Sequence, residues 1–260
     1  MKVVILCGGY GTRIRDVSAD IPKPMIPVGG LPILWHIMKY YSSFGFSDFI
    51  LCLGYKGHVI KDFFLNYRAR TSDFSITLGE SGGIEYHTDH AETKWRITLA
   101  ETGLETMTGG RIARIEHYLR KDEDFMLTYG DGLSNIDLGK LLEYHRSHRK
   151  IATVSGVRPP GRFGELRAEG DGTIIEFNEK PQATAGLING GYFVLRQEIF
   201  KYLPNRESLV FEQEPMRSLV RDRNLMVYEH DGFWQPMDTY RDYSYLNSIY
   251  AKGEALWKKW

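Results

Sequence analysis

Apolar positions recur along this chain with two periods that alternate. Lys2 to Cys7 is a short apolar run rich in β-branched residues, the pattern of a strand buried on both faces. Ile33, Leu34, Ile37, Met38 and Tyr41 then return at helical spacing and predict a helix from Pro32 to Phe44, which Gly45 would stop. Phe49 to Leu53 reads as a second buried strand, and Ile60, Phe63 and Phe64 place a helix over Val59 to Tyr67. Strand, helix, strand, helix predicts an α/β fold with a mainly parallel sheet covered on both faces. Residues 68–106 break the rhythm. Phe74 to Leu78 and Trp95 to Leu99 alternate like strands, and the polar run between them (ESGGIEYHTDHAETK) reads as a loop or hairpin excursion. Helical spacing resumes over Gly109 to Leu119, Leu138 to His148 and Phe211 to Val220. Strands are predicted at Asp124 to Thr128, Ile151 to Val157, Gly172 to Glu179, Gly191 to Leu195 and Leu225 to His230. From Thr239, Tyr240, Tyr243, Leu246, Ile249 and Tyr250 predict a C-terminal helical extension. No repeat and no linker divides residues 1–260, so a single domain is expected.

The first thirty residues carry the densest chemistry. Gly8, Gly9 and Gly11 follow the first strand at once. Glycine lets backbone approach a ligand closely, and its N–H groups can point at phosphate oxygens. Arg13 and Lys23 add fixed positive charge, and Pro22 and Pro24 restrict the backbone on either side of Lys23. The competing reading of these glycines is a tight turn with no ligand. Two familiar phosphate motifs do not fit. No Gly-Lys-Ser/Thr closes a P-loop. The dinucleotide fingerprint fails at its third glycine, where Ile14 stands, and the second strand runs into Gly54 rather than an acidic residue.

Two aspartates are open to two readings each. Asp131, between glycines at the end of a buried strand, is placed to hold Mg²⁺ beside phosphate oxygens, or to make an Asp-Gly turn. Asp238 is a second metal ligand or the N-cap of the tail helix. Glu179-Lys180-Pro181 taken alone reads as an exposed turn. His87 and His90 read as solvated loop residues, since no third ligand shares their spacing.

Charge and composition narrow the partners. Lys plus Arg and Asp plus Glu both number 33, so nothing argues for nucleic acid or an anionic membrane, and any phosphate affinity is local. Cys7 and Cys52 fall in apolar strand-like runs and are expected to be buried, reduced thiols. No signal-peptide pattern opens the chain and no apolar run reaches membrane-spanning length, so a cytoplasmic location is expected.

Gly-Gly-Tyr-Gly-Thr-Arg at 8–13, followed by Lys-Pro-Met-Ile-Pro-Val-Gly-Gly-Leu-Pro-Ile-Leu at 23–34, resembles the sugar-1-phosphate nucleotidylyltransferases. Further segments point to the glucose-1-phosphate cytidylyltransferases among them. These are LWHIMKYY at 34–41, MTGGR at 107–111, YGDG at 129–132, PPGRFG at 159–164, EKP at 179–181, INGGYF at 188–193 and GFWQPMDT at 232–239. They span nearly the whole chain in the family's order. The resemblance implies a Rossmann-like, mainly parallel mixed sheet flanked by helices, of the nucleotide-diphospho-sugar transferase type. It also implies a division of labour: residues 1–135 mainly for nucleotide, 136–238 mainly for sugar phosphate, and 239–260 as a helical tail.

The implied reaction transfers CMP from CTP to α-D-glucose 1-phosphate, with Mg²⁺ held by Asp131 and Asp238. The nucleotide would meet Leu6, Cys7, Gly8, Gly9, Tyr10, Gly11 and Thr12, with Arg13 on its β- and γ-phosphates and Lys23 on its α-phosphate. Thr106, Thr108, Gly109, Gly110 and Arg111 would form the other wall of the base pocket, with Gly130 beneath the ribose. Gly164, Glu179, Lys180, Asn189 and Gly190 would hold the sugar phosphate. The product, CDP-glucose, would feed the 3,6-dideoxyhexoses of bacterial surface polysaccharide, and a homo-oligomer, with a hexamer suggested, is implied as well. Glu165 departs from the small or apolar residue expected after Phe-Gly and raises the prospect of a different sugar. Composition and spacing leave uridylyl and thymidylyl transfer open, as well as a non-catalytic sugar-nucleotide sensor. The failed fingerprint argues against a dinucleotide-dependent oxidoreductase.

Overall fold

The structure is a computed structural model describing residues 1–11, 14, 20–79, 82–158, 165–169, 174–178 and 186–260. Seven strands form the central sheet: β1 (Lys2–Leu6), β2 (Asp48–Leu53), β3 (Arg96–Glu101), β4 (Asp124–Tyr129), β5 (Ala152–Val157), β6 (Ile188–Arg196) and β7 (Leu225–His230). Their order across the sheet is β7-β5-β6-β4-β1-β2-β3. β1 runs parallel to β2 and β4, β2 to β3, and β5 to β7; β6 alone is antiparallel to its neighbours β4 and β5. The chain leaves β1 toward β2 and β3, then returns to β4 on the other side. That reversal opens a crevice at the carboxyl ends of the strands, where open α/β sheets bind ligands.

The near-continuous apolar strands follow from burial on both faces. Val3 and Ile5 point into one core, built with helices α1 (Ile33–Ser43), α2 (Gly57–Leu65) and the C-terminal tail. Val4 and Leu6 point into a second core on the other face, with Ile112, Leu119, Phe193 and Leu219. The predicted helix over 109–119 forms as α3 (Thr108–Arg114) and a short turn, Glu116–Leu119, with Ile115 between them. Leu138–His148 (α4) matches its expectation, with Asp137 accepting from the Lys140 N–H as its cap at 3.0 Å. The helix expected from Phe211 begins only at Glu214 and ends at Arg221 (α5).

The excursion is a small hairpin, Phe74–Ile76 paired with Ile84–Tyr86. His87 bonds Ser75 at 2.8 Å, and the ring of His90 packs edge-on against Tyr67. The tail helix α6 (Tyr240–Ala251) is capped by Thr239, not Asp238: Thr239 and Asp242 form a reciprocal capping box. Beyond α6, Trp257 is fully buried, and its indole N–H reaches Nδ1 of His36 in α1 at 3.4 Å.

One three-residue ribbon matters more than its size. Trp234–Pro236 pairs antiparallel with Gly132–Ser134, and the Met237 N–H donates to the Asp131 carbonyl at 2.9 Å. Asp131, from the middle of the chain, and Asp238, from near its C-terminus, are therefore brought side by side.

Candidate active site

β1, β2 and β4 end in one row, with Leu6 paired to Cys52 on one side and Tyr129 on the other. Beyond that row lies a cavity of about 470 Å³. Its walls are the Leu6–Gly11 turn, Lys23 and Pro24, the Leu104–Thr108 segment with Arg111, and Tyr129–Asp131 with Asp238. The glycines are needed where chains cross. Gly11 has φ +61°, and a Cβ there would stand 3.0 Å from the Lys23 Cβ. A Cβ on Gly130 would stand 3.0 Å from the Leu6 carbonyl and 3.1 Å from Pro24. Gly9 has open space beside it, as backbone facing a ligand should.

Lys23 is delivered by the Lys23–Met25 3-10 turn, with Pro22 at its start and the Met25 N–H donating to the Pro22 carbonyl at 2.8 Å. Its ammonium donates to Asp131 Oδ2 at 2.5 Å and Asp238 Oδ1 at 2.6 Å. Burial works against the Lys23 charge, but the two carboxylates outweigh it and raise its pKa above the ordinary value. An ammonium held between two carboxylates stands in for the cation that such a pair would share with phosphate oxygens, so the residues present fit a hard divalent ion. Among the described residues, no cluster of three or more acidic, histidine or cysteine side chains offers an all-protein cage. The Cys7 thiol lines the same cavity, but burial first, then Cys52 and Asp131, push its pKa well up. A neutral buried thiol is a poor nucleophile.

At the other end of the cavity Arg111 is almost wholly buried. Nη1 donates to the carbonyls of Leu53 and Gly103 and to Thr102 Oγ1, each at 2.8 Å. Nη2 donates to the carbonyls of Gly8 at 3.0 Å and Leu104 at 3.2 Å. Burial lowers the Arg111 pKa, as expected of a guanidinium held mainly by neutral carbonyls. Gly8 and Gly54 make room for it: a Cβ on either would fall within 2.5 Å of a guanidinium atom. Gly54 therefore stands where a dinucleotide site would want an acid, because Arg111 occupies the space.

Thr106 and Thr108 line the cavity, and their hydroxyls are tied to a neighbouring segment. Thr106 donates to Glu207 at 3.2 Å and Thr108 to Glu212 at 2.6 Å, tying the wall to the 206–212 segment. Gly109 and Gly110 also face that segment: added Cβ atoms would meet Leu209 at 2.8 Å and the Arg206 carbonyl at 2.6 Å.

On the side expected to hold the sugar, the Asn189 amide donates to the Tyr129 hydroxyl at 3.3 Å, and its Oδ1 accepts from the Gly191 N–H at 2.8 Å. The Gly190 carbonyl accepts from the Trp234 indole at 2.7 Å, which anchors the 234–236 ribbon. Tyr129 in turn donates to Glu212 at 2.5 Å.

A family model described as nucleotidyl transferase matches residues 2–253. The chain belongs to the nucleotidyl transferase family. Two curated relatives align over all 260 residues and the whole of both chains: the glucose-1-phosphate cytidylyltransferase of Salmonella typhi at 46% identity, and the probable glucose-1-phosphate cytidylyltransferase of Bacillus subtilis (strain 168) at 47%. Among solved structures, HddC from Yersinia pseudotuberculosis complexed with GMP-PN superposes with a TM-score of 0.69 at 24% identity, covering 96% of this chain and 99% of that one. UDP-glucose pyrophosphorylase complexed with UDP-glucose gives 0.68 at 17%, covering 97% and 98%. These likenesses show that the fold is that of nucleotide-diphospho-sugar transferases.

In this nucleotidyl transferase, Leu6 to Gly11, Lys23, Thr106, Thr108, Arg111, Gly130, Asp131 and Asp238 all line one cavity. Asn189 meets it through Tyr129. Thr12, Arg13, Gly164, Glu179 and Lys180 lie outside the described residues. Tyr129, Glu105 and Glu212 went unnoticed in the sequence. Tyr129 sits beside the Gly-Asp-Gly segment and carried a weak signal; the two glutamates carried none. Among the described residues, no helix is long and apolar enough to cross a membrane.

Proposed function

We propose that this chain transfers CMP from CTP to α-D-glucose 1-phosphate, giving CDP-glucose and pyrophosphate. The reading rests on 46–47% identity to cytidylyltransferases along the full length of both chains. The Lys23–Asp131–Asp238 cluster inside the cavity supports the reaction class. An oxygen of the sugar phosphate attacks the α-phosphorus in line, the bond to the β-phosphate breaks, and pyrophosphate leaves. The nucleophile is already an anion, so no side chain has to remove a proton. The barrier is repulsion between two phosphorylated substrates, and the protein's task is positioning and positive charge.

In this reading the Leu6–Gly11 turn cradles the triphosphate, Arg13 holds the β- and γ-phosphates, and Lys23 moves from the carboxylates to the α-phosphate. Asp131 and Asp238 then hold a divalent cation, which is typical of the family; we take it to be Mg²⁺. When bound, it offsets phosphate charge and orients the α-phosphate. Arg111 keeps the turn and the opposite wall at a fixed separation. Lys180 and Glu179 take the phosphate and a hydroxyl of the sugar, with Gly164, Asn189 and Gly190 beside them. Residues 1–135 serve mainly the nucleotide and 136–238 mainly the sugar phosphate, while 239–260 brace the site. A homo-oligomeric, cytoplasmic enzyme serving surface polysaccharide belongs to the same reading and rests on resemblance.

The test is pyrophosphate release with glucose 1-phosphate and Mg²⁺, offering CTP, UTP, dTTP, ATP and GTP separately. Strongest turnover with CTP is expected. Turnover with another nucleotide but not CTP would discard the base, and silence with all five would discard this sugar phosphate or the activity.

A further inference from the structure

Assigning the hydrogen bonds at the Arg111 end of the cavity leaves one polar side chain that the fold does not consume. The carbonyls of Gly8, Gly103 and Leu104 are held by Arg111. Thr106 Oγ1 donates to Glu207 and accepts from Arg114 at 2.6 Å. Thr108 Oγ1 donates to Glu212 and accepts from the Phe211 N–H at 2.9 Å. Glu105 lies between them and lines the same cavity. Among the described residues its carboxylate takes one side-chain hydrogen bond, on Oε1, from the Tyr10 hydroxyl. The side chain is exposed, and among the described residues its Oε2 takes no side-chain hydrogen bond.

Tyr10 belongs to the glycine-rich turn on the opposite wall. Its ring leans on Tyr55 with centroids 5.1 Å apart and is 40% exposed. The phenol–carboxylate bond therefore crosses from the turn to the Leu104–Thr108 wall and fixes where the carboxylate stands. The bond to Glu105 also raises the Tyr10 pKa.

A carboxylate only accepts hydrogen bonds. The pyrimidines differ at position 4, where cytosine offers an amino donor while uracil and thymine offer a carbonyl that an anion repels. We propose that Glu105, steadied by Tyr10, favours cytosine by accepting a hydrogen bond from the 4-amino group of the base. Tyr10 is then a positioning residue. The proposal rests on the cytidylyl-transfer reading and extends it to a residue that selects the base.

The experiment compares CTP, UTP and the triphosphate of the 2-pyrimidinone riboside, which lacks any 4-substituent. Wild type, Glu105→Ala, Glu105→Gln and Tyr10→Phe are assayed for kcat/KM with glucose 1-phosphate, and for nucleotide binding by calorimetry without sugar. Wild type should prefer CTP to the 2-pyrimidinone nucleotide by about tenfold or more, as a hydrogen bond to a charged group implies. Glu105→Ala should bring the two within about twofold of each other, since the position-4 contact is gone. Glu105→Gln, which adds a donor, should raise UTP relative to CTP. Tyr10→Phe should lose roughly threefold of the discrimination, the share of a positioning contact.

A merely structural role for Glu105 would shift all three nucleotides together. An unchanged CTP to 2-pyrimidinone ratio in Glu105→Ala overturns the proposal. So does a larger loss for UTP than for CTP, which would place the carboxylate at the N3–H of uracil. If wild type turned over no nucleotide, cytidylyl transfer itself would fail, while the calorimetric ratio would still decide the role of Glu105.

Discussion

The cavity has a cation at each end, Lys23 half-buried and Arg111 buried, and the two are held in opposite ways. Lys23 sits between two carboxylates, and its pKa is raised despite burial. Arg111 is gripped by four backbone carbonyls and a threonine hydroxyl, and burial lowers its pKa. An ammonium on a flexible stem, paired with groups that would equally accept a metal ion, is suited to changing partners. A planar guanidinium that satisfies five acceptors at once is suited to staying put. One is free to exchange partners and the other is a fastening, although both line the same cavity.

The largest expected effect strikes the partners of the exchangeable cation. Asp131→Asn and Asp238→Asn should each lower kcat by about a thousandfold or more, the scale of losing a charge-stabilising group in a phosphoryl-type transfer. Their circular dichroism should match wild type. Near-normal turnover in either would remove that carboxylate from the reaction and with it the paired metal site. Lys23→Ala should lower kcat by roughly a hundredfold while the KM for glucose 1-phosphate changes little, since the lysine is assigned to the α-phosphate. A rise in that KM alone would give Lys23 the role assigned to Lys180.

Lys23→Met sharpens the comparison without any turnover. With the ammonium gone, the free enzyme should bind Mn²⁺ about tenfold more tightly, read by electron paramagnetic resonance in the absence of nucleotide. Equal or weaker binding would mean that lysine and metal do not compete. Arg111→Met should instead appear as lost stability, because several buried carbonyls lose their donor. About 3 kcal/mol, or a drop in Tm of roughly 6–12 °C, is expected. An unchanged Tm would demote Arg111 from its structural role.

A further effect lies far from the cavity. Burial lowers the pKa of His36 to about 4, and the neutral ring accepts from Trp257 while meeting the Val28 carbonyl at 2.8 Å. The unfolded chain takes up this proton near the ordinary 6.5, whereas the fold resists it until about 4. Stability should therefore be full above pH 6.5 and fall as pH drops through that window, by about 3 kcal/mol at the limit. His145, also lowered to about 4 chiefly by burial, acts in the same direction. His36→Gln should flatten the dependence of Tm on pH between 6.5 and 4; an identical slope would locate the acid sensitivity elsewhere.

Much of this was legible from residues alone, for a physical reason. Strands buried on both faces are apolar throughout, and helices on a sheet show the 3.6 period, so β1, β2, β4, α1 and α4 announce themselves. Gly11 and Lys23 stood out through the glycine turn and the Pro-Lys-Pro clamp, whereas Asp131 and Asp238 were each open to a turn or cap reading until the family resemblance favoured a metal. The ribbon of Gly132–Ser134 and Trp234–Pro236 was not legible, since three residues containing a glycine or a proline carry no strand period. Nor were the bonds from Thr106 to Glu207 and Thr108 to Glu212, which join positions about a hundred residues apart. Only the fold could tell that those hydroxyls were already taken, and hence that Glu105 was left over.

The ribbon that joins Asp131 to Asp238 also sets a timetable. On the ribosome the glycine turn, Lys23, Arg111 and Asp131 emerge while Asp238 is still unmade. A nascent chain can thus gather most of the cavity, yet Lys23 has only one of its two carboxylate partners. The pair is completed by Trp234–Pro236, which precedes the cap of α6 and Trp257, docked beside His36, in the chain. The ribbon, the cap of α6 and the docking of Trp257 follow one another along the chain, so the carboxylate pair and the C-terminal tail are fastened by neighbouring segments.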